Sequence, residues 1–287
     1  SYLEAHLSAN DYYSEDESVS GIWVGRAAEL LGIESNSISA KDEAFERLRK
    51  NEHPLTGEKL TKRNKTTRNP TFDEARKSLC QKLRVKGDLK SDVGEMMPSN
   101  EAIDEYRSKM KPICNRIAFF DFQCGCAKSV SIMAIVGRDD RLRVAHEKAT
   151  AVGLRELESL AARQVDVLGR KHLQFTGNLA AAIFQHDSSR ALDPQLHTHC
   201  VVANATFDEG KQEWVALSEF EMLKAIRYAG KVYQNELASR VKALGYDIVE
   251  RRNEKGFIEG FEIAGVSDEI MKLISKRRAV IEKEISI

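Results

Sequence analysis

The stretch "QHDSSRALDPQLHTHC", residues 185–200, holds three of the seven histidines of a 287-residue chain. Alternate side chains of a β-strand share a face, so His197 and His199 should project together, with Thr198 on the opposite side. An antiparallel neighbour ending near His186 would set a third imidazole beside them, with "SRALDP" as the turning loop. Three neutral imidazoles around one divalent cation leave coordination positions open, which is the pattern of a catalytic rather than a closed structural site. Asp187, Asp193 and Gln195 are the nearby candidates to accept ring protons and fix the tautomers. Imidazole ligands alone leave zinc, manganese, nickel, iron and copper open. Magnesium suits nitrogen ligands less and would need help from a phosphate substrate. The bland alternative is three histidines that merely happen to be close in sequence.

Working outward, "NLAAAIFQHDSS" and "LHTHCVVANATF" read as two strands around that loop, and "WVALS" (214–218) as a further short one. "NRIAFFDFQCG" (115–125) has the aromatic and β-branched content of a buried strand, and "AKSVSIMAIVG" after it opens a helix. Residues 139–164 carry a helical stripe of Leu142, Ala145, Ala149, Gly153, Leu157 and Leu160, with an acidic start and a basic end. Helices are also predicted over 20–34, ending at Gly32, over 37–54, broken by Pro54, and through the highly charged residues 71–112. Ser218 and Glu221 have the spacing of a capping box, opening a helix to Leu244 with Gly245 as its stop. A hairpin over 246–266 and a closing helix complete the chain. Strands and helices do not alternate regularly, so the fold class is α+β. One domain over 1–287 is expected, with a charged helical insert at about 71–112.

Forty-four basic residues balance 44 acidic ones, which disfavours a protein that coats nucleic acid indiscriminately. The charge is uneven, however: "KLTKRNKTTRNP" (59–70) has five cations and no acid. Five cysteines, an odd number without a secretory signal, point to reduced thiols in a cytoplasm. Cys124 and Cys126 lack the two-residue spacer of common zinc or redox motifs and read as structural. No apolar run approaches the roughly 20 residues that span a bilayer.

Two further features bear on what an open cation site would do. Asp121 lies among Phe119, Phe120 and Phe122, where a bare carboxylate is expensive to bury, so it needs a partner, a task or a solvent-facing edge. Three of the seven tyrosines, Tyr2, Tyr12 and Tyr13, fall within the first 13 residues.

The blocks "YLEAHLSANDYYSED…WVGRAAELLG", "FFDFQCGCAKSVSIMAIVG" and "TGNLAAAIFQHDSSRALDPQLHTHCVVANAT" resemble, in order, the conjugative relaxases of the TrwC/TraI (MobF) type, which are HUH endonucleases. The tail "GFEIAGV…ISKRR" is similar too, and the likeness covers most of the chain outside 71–112. The resemblance implies a central antiparallel sheet flanked by helices, and one divalent metal ion (Mg, Mn or Zn) on His186, His197 and His199. It implies Tyr2 as first catalytic tyrosine, Tyr12 and Tyr13 as the second tyrosine pair, and Asp121 assisting the nucleophile. The implied reaction cuts one strand at a plasmid transfer origin and leaves a 5′-phosphotyrosine. Two departures stand out: Leu3 follows Tyr2 where several relatives have a tyrosine pair, and "GCAKS" replaces the usual "SAPKS". A strand usual before the first tyrosine is missing, so a native segment upstream of Ser1 is expected, and many relatives continue into a helicase.

For such a substrate, Lys59, Lys62, Arg63, Lys65 and Arg68 are candidate phosphate contacts, as are Lys128 and Arg190. Lys128 has a second reading as a cap on local structure, and Arg190 as a brace for Asp187. Trp23, Tyr12 and Tyr13 are candidates to stack on bases; Trp23 is equally a core residue. The expected partners are single-stranded and hairpin DNA at the origin and other relaxosome proteins. The expected state is a monomer in a bacterial cytoplasm, transferred with the DNA. The rival readings are a rolling-circle replication initiator or transposase of the HUH class, a three-histidine metallohydrolase, and a noncatalytic single-strand-binding module.

Overall fold

The computed structural model describes residues 21–33, 43–62, 67–85, 98–110, 113–114, 117–189 and 192–275. In chain order its helices are α1 (Arg26–Leu30), α2 (Glu43–Lys50), α3 (Phe72–Val85), α4 (Asn100–Lys109), α5 (Lys128–Ile135), α6 (Asp140–Ser159), α7 (Phe220–Ala243) and α8 (Asp268–Leu273). Its strands are β1 (Ile22–Val24), β2 (Thr67–Arg68), β3 (Ile113–Cys114), β4 (Phe119–Gly125), β5 (Ala162–Val167), β6 (Arg170–Phe175), β7 (Ala181–Ser188), β8 (Pro194–Ala203), β9 (Thr206–Asp208), β10 (Glu213–Val215), β11 (Ile248–Arg252) and β12 (Ile258–Ile263). Helices and antiparallel strands in this order make an α+β fold, as expected.

The chain divides into two compact units, residues 1–62 with 118–287, and residues 63–117. The smaller unit holds the α3 and α4 helices and the short β2–β3 pair. The larger one is built on a four-stranded antiparallel sheet in the order β1-β7-β8-β4.

The period-two pattern gives this sheet two different faces. Trp23, Ala182, Phe184, Val201, Ala203 and Phe119 point to the front, where they pack with Ala27 of α1, Leu31 just after it, and Phe45 and Leu48 of α2. Phe45 stacks on Phe119 with ring centres 4.5 Å apart. Trp23 is therefore core and not a platform for bases. Phe122, Ala181, Ile183, Cys200 and Val202 point to the back, against Leu154 and Leu157 of α6 and Met222 and Ala229 of α7. The buried stripe of α6 follows the predicted spacing, and Gly153 lets α7 come close: a Cβ there would stand 3.1 Å from that of Tyr233.

Several local readings change. Residues 22–24, expected to begin a helix, form an edge strand on β7, and the helix starts only after Gly25. Gly25 has φ +97°, and a Cβ on it would lie 2.2 Å from the Leu179 carbonyl oxygen, so chain reversal there needs a glycine. The α6 helix ends at Ser159 with no basic residue in its last turn, because 162–167 belong to a hairpin that the sequence reading missed. Helix α7 has no side-chain cap at its start, so the expected capping box does not form, while Gly245 (φ +94°) does terminate it.

Candidate metal centre

The three histidines meet because strand register brings them together. His186 stands across from His197, and His199 lies between Phe184 of β7 and Gln123 of β4. All three therefore continue the front face, beyond its apolar half. Their ring centres form a nearly equilateral triangle with sides of 5.3, 5.3 and 5.2 Å. Imidazoles sharing one ion at ~2.1 Å with tetrahedral angles would have centres about 5 Å apart, so the spacing fits a common cation. No group of three or more His, Cys, Asp or Glu among the described residues is already arranged as a metal cage.

The hydrogen bonds around the rings select the right nitrogen. His197 Nδ1 lies 2.9 Å from the main-chain carbonyl of Gln195, which can only accept, so Nδ1 carries the proton and Nε2 the lone pair. Asp121 holds His199 in the same tautomer, its carboxylate oxygens 2.8 and 3.1 Å from Nδ1. This meets the need for a partner that the aromatic surroundings of Asp121 imposed. Burial, reinforced by His199 and His197, pushes His186 down to about 4, and burial lowers His197 as well. Both are thus neutral at pH 7, the form that binds a metal. Of the residues expected as acceptors, Gln195 is in place. It serves through its main chain, and Asp187 pairs instead with Arg143 of α6, next to an irregularity in β7 between His186 and Ser188.

The block after β4 holds the start of the histidine strand. β4 pairs with β8 as far as Gly125 opposite His197. Beyond that point the Cys126 N–H donates to the Leu196 carbonyl at 3.3 Å, and Ser131 Oγ accepts from the Leu196 N–H at 3.0 Å. Lys128 Nζ donates to the Pro194 carbonyl at 2.9 Å. The lysine proposed for DNA thus also has the capping task. Burial pushes the Cys126 thiol up to about 12, so it stays protonated and donates to Leu196, as a structural cysteine should.

Behind the sheet lies a polar group that the sequence reading did not single out. His146 of α6 is fully buried, with Nε2 2.8 Å from Thr198 Oγ1 and Nδ1 2.8 Å from the hydroxyl of Tyr233. The signal was present: residue 146 falls on the same helical stripe as Leu142, Ala149 and Gly153. Burial lowers its pKa to about 4. The unfolded chain therefore takes up this proton first as pH falls. Its contribution to stability is complete above about pH 6.5 and is lost towards pH 4, on the order of 3 kcal/mol in all. Thermal unfolding in EDTA at pH 7.5, 6 and 5 should show a shallower pH dependence for His146→Leu than for the wild type; parallel curves would refute the assignment.

The other described candidates have contacts of their own. Lys62 is paired with Glu213, and Arg68, in the smaller unit, makes a two-pronged ion pair with Glu74 at 2.7 and 2.5 Å. Lys59 is exposed and its main chain forms an isolated antiparallel β-bridge with Glu52. Tyr2, Tyr12, Tyr13, Arg63, Lys65 and Arg190 lie outside the described residues. Among the described residues no helix is long and apolar enough to cross a membrane.

Comparison with known proteins gives a consistent picture. A family model described as TrwC relaxase matches residues 1–287. The multifunctional conjugation protein TraI of Escherichia coli is 46% identical over 137 residues, which is 45% of this chain and 8% of that protein. TraI of Escherichia coli strain K12 is 42% identical over the same length. The chain thus spans less than a tenth of these relatives (8%). Among solved structures, the metal-bound conjugative relaxase TrwC in complex with oriT DNA superposes with a TM-score of 0.67 at 26% identity, covering 97% of this chain and 76% of that one. TrwC complexed with a 27-mer DNA comprising the recognition hairpin and the cleavage site gives 0.65 at 27% identity, covering 93% and 75%.

Proposed function

The chain belongs to the TrwC relaxase family, and from that premise we propose that it is a site- and strand-specific DNA relaxase that nicks single-stranded DNA at a plasmid transfer origin. The observation that carries this reading is the triangle of imidazoles on adjacent antiparallel strands, with His197 and His199 each tied down at Nδ1. It is supported by the TrwC complexes, which hold oriT DNA with and without metal.

His186, His197 and His199 would hold one divalent cation, His197 and His199 through Nε2, since Nδ1 of each is hydrogen-bonded. When bound, the ion supplies positive charge to the nonbridging oxygens of the scissile phosphate. The Tyr2 hydroxyl attacks phosphorus, the bond to the 3′ oxygen breaks, and that oxygen leaves as a 3′-hydroxyl after gaining a proton. One phosphodiester replaces another, so the reverse step can rejoin the strand. Asp121 acts through His199, fixing its tautomer and orientation, and is assigned the phenolic proton. Tyr12 or Tyr13 serves a second strand transfer. Lys59, Lys62, Arg63, Lys65, Arg68, Lys128 and Arg190 are the candidate phosphate contacts; Lys62 and Arg68 must exchange their carboxylate partners to take that role. We assign the protein to the bacterial cytoplasm as a monomer, with other relaxosome proteins as partners.

Incubation with labelled single-stranded origin candidates and Mn(II), followed by denaturing electrophoresis, tests the proposal. A covalent protein–DNA adduct is expected; cleavage without an adduct favours metal-water hydrolysis, and binding without cleavage favours a noncatalytic module. Asp121→Asn keeps the side chain's size but removes its charge. Mn(II) affinity should fall about ten- to a hundred-fold, as when an outer partner of a ligating histidine is lost. Calorimetry that finds wild-type affinity would remove Asp121 from this role.

A further inference from the structure

The histidine strand is also gripped from behind, between two of the ligands. Thr198 lies between His197 and His199 and faces the back of the sheet, so its side chain is the handle by which the helices can hold both ligands at once. Its hydroxyl meets His146 of α6, and His146 meets Tyr233 of α7, each at 2.8 Å. The Tyr233 ring stands edge-on to the imidazole, 5.7 Å between centres at 88°. Thr150 Oγ1 bonds the His146 carbonyl at 2.9 Å, one turn along α6.

Tyr233 belongs to an apolar cluster with Leu142, Ala145, Ala149, Leu196 and Leu237, and Thr198, His146 and Tyr233 are 1%, 0% and 3% exposed. A neutral imidazole has one N–H and one lone pair, and a hydroxyl at each end satisfies both in either tautomer. A valine, a leucine and a phenylalanine would fill comparable space. What they would lack is direction. Apolar packing tolerates small slips along a strand, whereas hydrogen bonds in a dry interior impose distance and angle.

We infer that His146, tethered to Tyr233 and bonded to Thr198, is a positioning residue that sets the alignment of His197 and His199 for the cation. The inference rests on the reading of His186, His197 and His199 as the metal ligands. It differs from the front-side role of Asp121, because it acts on strand placement rather than on one ring's tautomer.

Crossed substitutions at Thr198 separate positioning from packing. Thr198→Val keeps the shape and loses the hydroxyl; Thr198→Ser keeps the hydroxyl and loses a methyl group. The 287-residue chain is titrated with Co(II) alone, following the affinity and the visible absorption band, which reports ligand geometry. Thr198→Val should bind about ten- to a hundred-fold more weakly, with an altered band, and Thr198→Ser should match the wild type even if less stable. The triple variant Thr198→Val, His146→Leu, Tyr233→Phe leaves no polar group unpaired among these three. It should regain thermal stability without regaining the wild-type band. Unchanged Co(II) affinity and spectrum in Thr198→Val overturn the inference, as does full recovery of both in the triple variant. If the variants at 198 do not fold, Tyr233→Phe decides, since it removes only the distal oxygen, and a wild-type band there is a refutation. His199→Ala serves as control. Wild-type protein that fails to bind Co(II), or binds it equally well as His199→Ala, overturns the ligand reading and this inference together. Binding lost in His199→Ala but intact in Thr198→Val overturns this inference alone.

Discussion

Replacing Tyr2 with phenylalanine should abolish the covalent adduct with origin DNA, a loss of at least about a thousand-fold, the scale seen when a covalent nucleophile is removed. Phenylalanine keeps the ring, so any stacking on a base survives, and oligonucleotide affinity should stay within about threefold. The effect therefore falls on chemistry and not on binding. A phenol ionises near pH 10, so attack at neutral pH needs both a proton acceptor and positive charge at the phosphate. The first is assigned to Asp121, the second to the ion held by the three histidines. Rivals make different predictions. An enzyme that cleaves with metal-bound water would nick as well with phenylalanine at position 2 as with tyrosine. A nucleophile at Tyr12 or Tyr13 would leave the adduct in Tyr2→Phe and lose it in the matching variant there. Either result would take Tyr2 out of the first transfer.

How far these roles could be read in advance depended on the range of the interaction. The period-two spacing of His197 and His199 was enough to put them on one face, and the ten residues between His186 and His197 left room for the turn that returns His186 to them. The stop of α7 at Gly245 was legible because its signal is local, although the Ser218–Glu221 spacing that marked its start makes no cap. Three-residue β1 was not, since its identity as a strand comes from pairing with Ala181–Ile183, some 160 residues away. The β5–β6 hairpin also escaped notice: most of its residues are exposed, so it carries no hydrophobic alternation, and its turn at Leu168 and Gly169 has only one glycine to mark it. At the site, Asp121 was suspected from its aromatic neighbours, but its bond to His199 spans 78 residues and is set by β4–β8 register. The main-chain carbonyl of Gln195 has no signature in a sequence at all.

Those bonds make the second large effect specific. Alanine at His199 should weaken divalent-cation binding by about a hundred-fold or more. A four-ligand zinc site is worth roughly 10–16 kcal/mol, or about 3 kcal/mol per ligand, and each 1.4 kcal/mol is a factor of ten. Nicking should fall about as steeply, since charge stabilisation at the phosphate commonly contributes 10²–10³-fold. The fold should tolerate the change. His199 is only half-buried, its ring is held by Asp121 and not by the apolar core, and the β8 backbone keeps its partners on both sides. His197→Ala should cost the same cation affinity but more stability, because that ring is 1% exposed and its loss leaves a cavity beside His186. Comparing the two separates ligation from packing: calorimetry with Mn(II) should give similar losses, while thermal unfolding without metal should rank His197→Ala well below His199→Ala. Equal unfolding midpoints would contradict the burial argument. Undiminished Mn(II) binding in both variants would remove the histidine triangle from the reaction altogether.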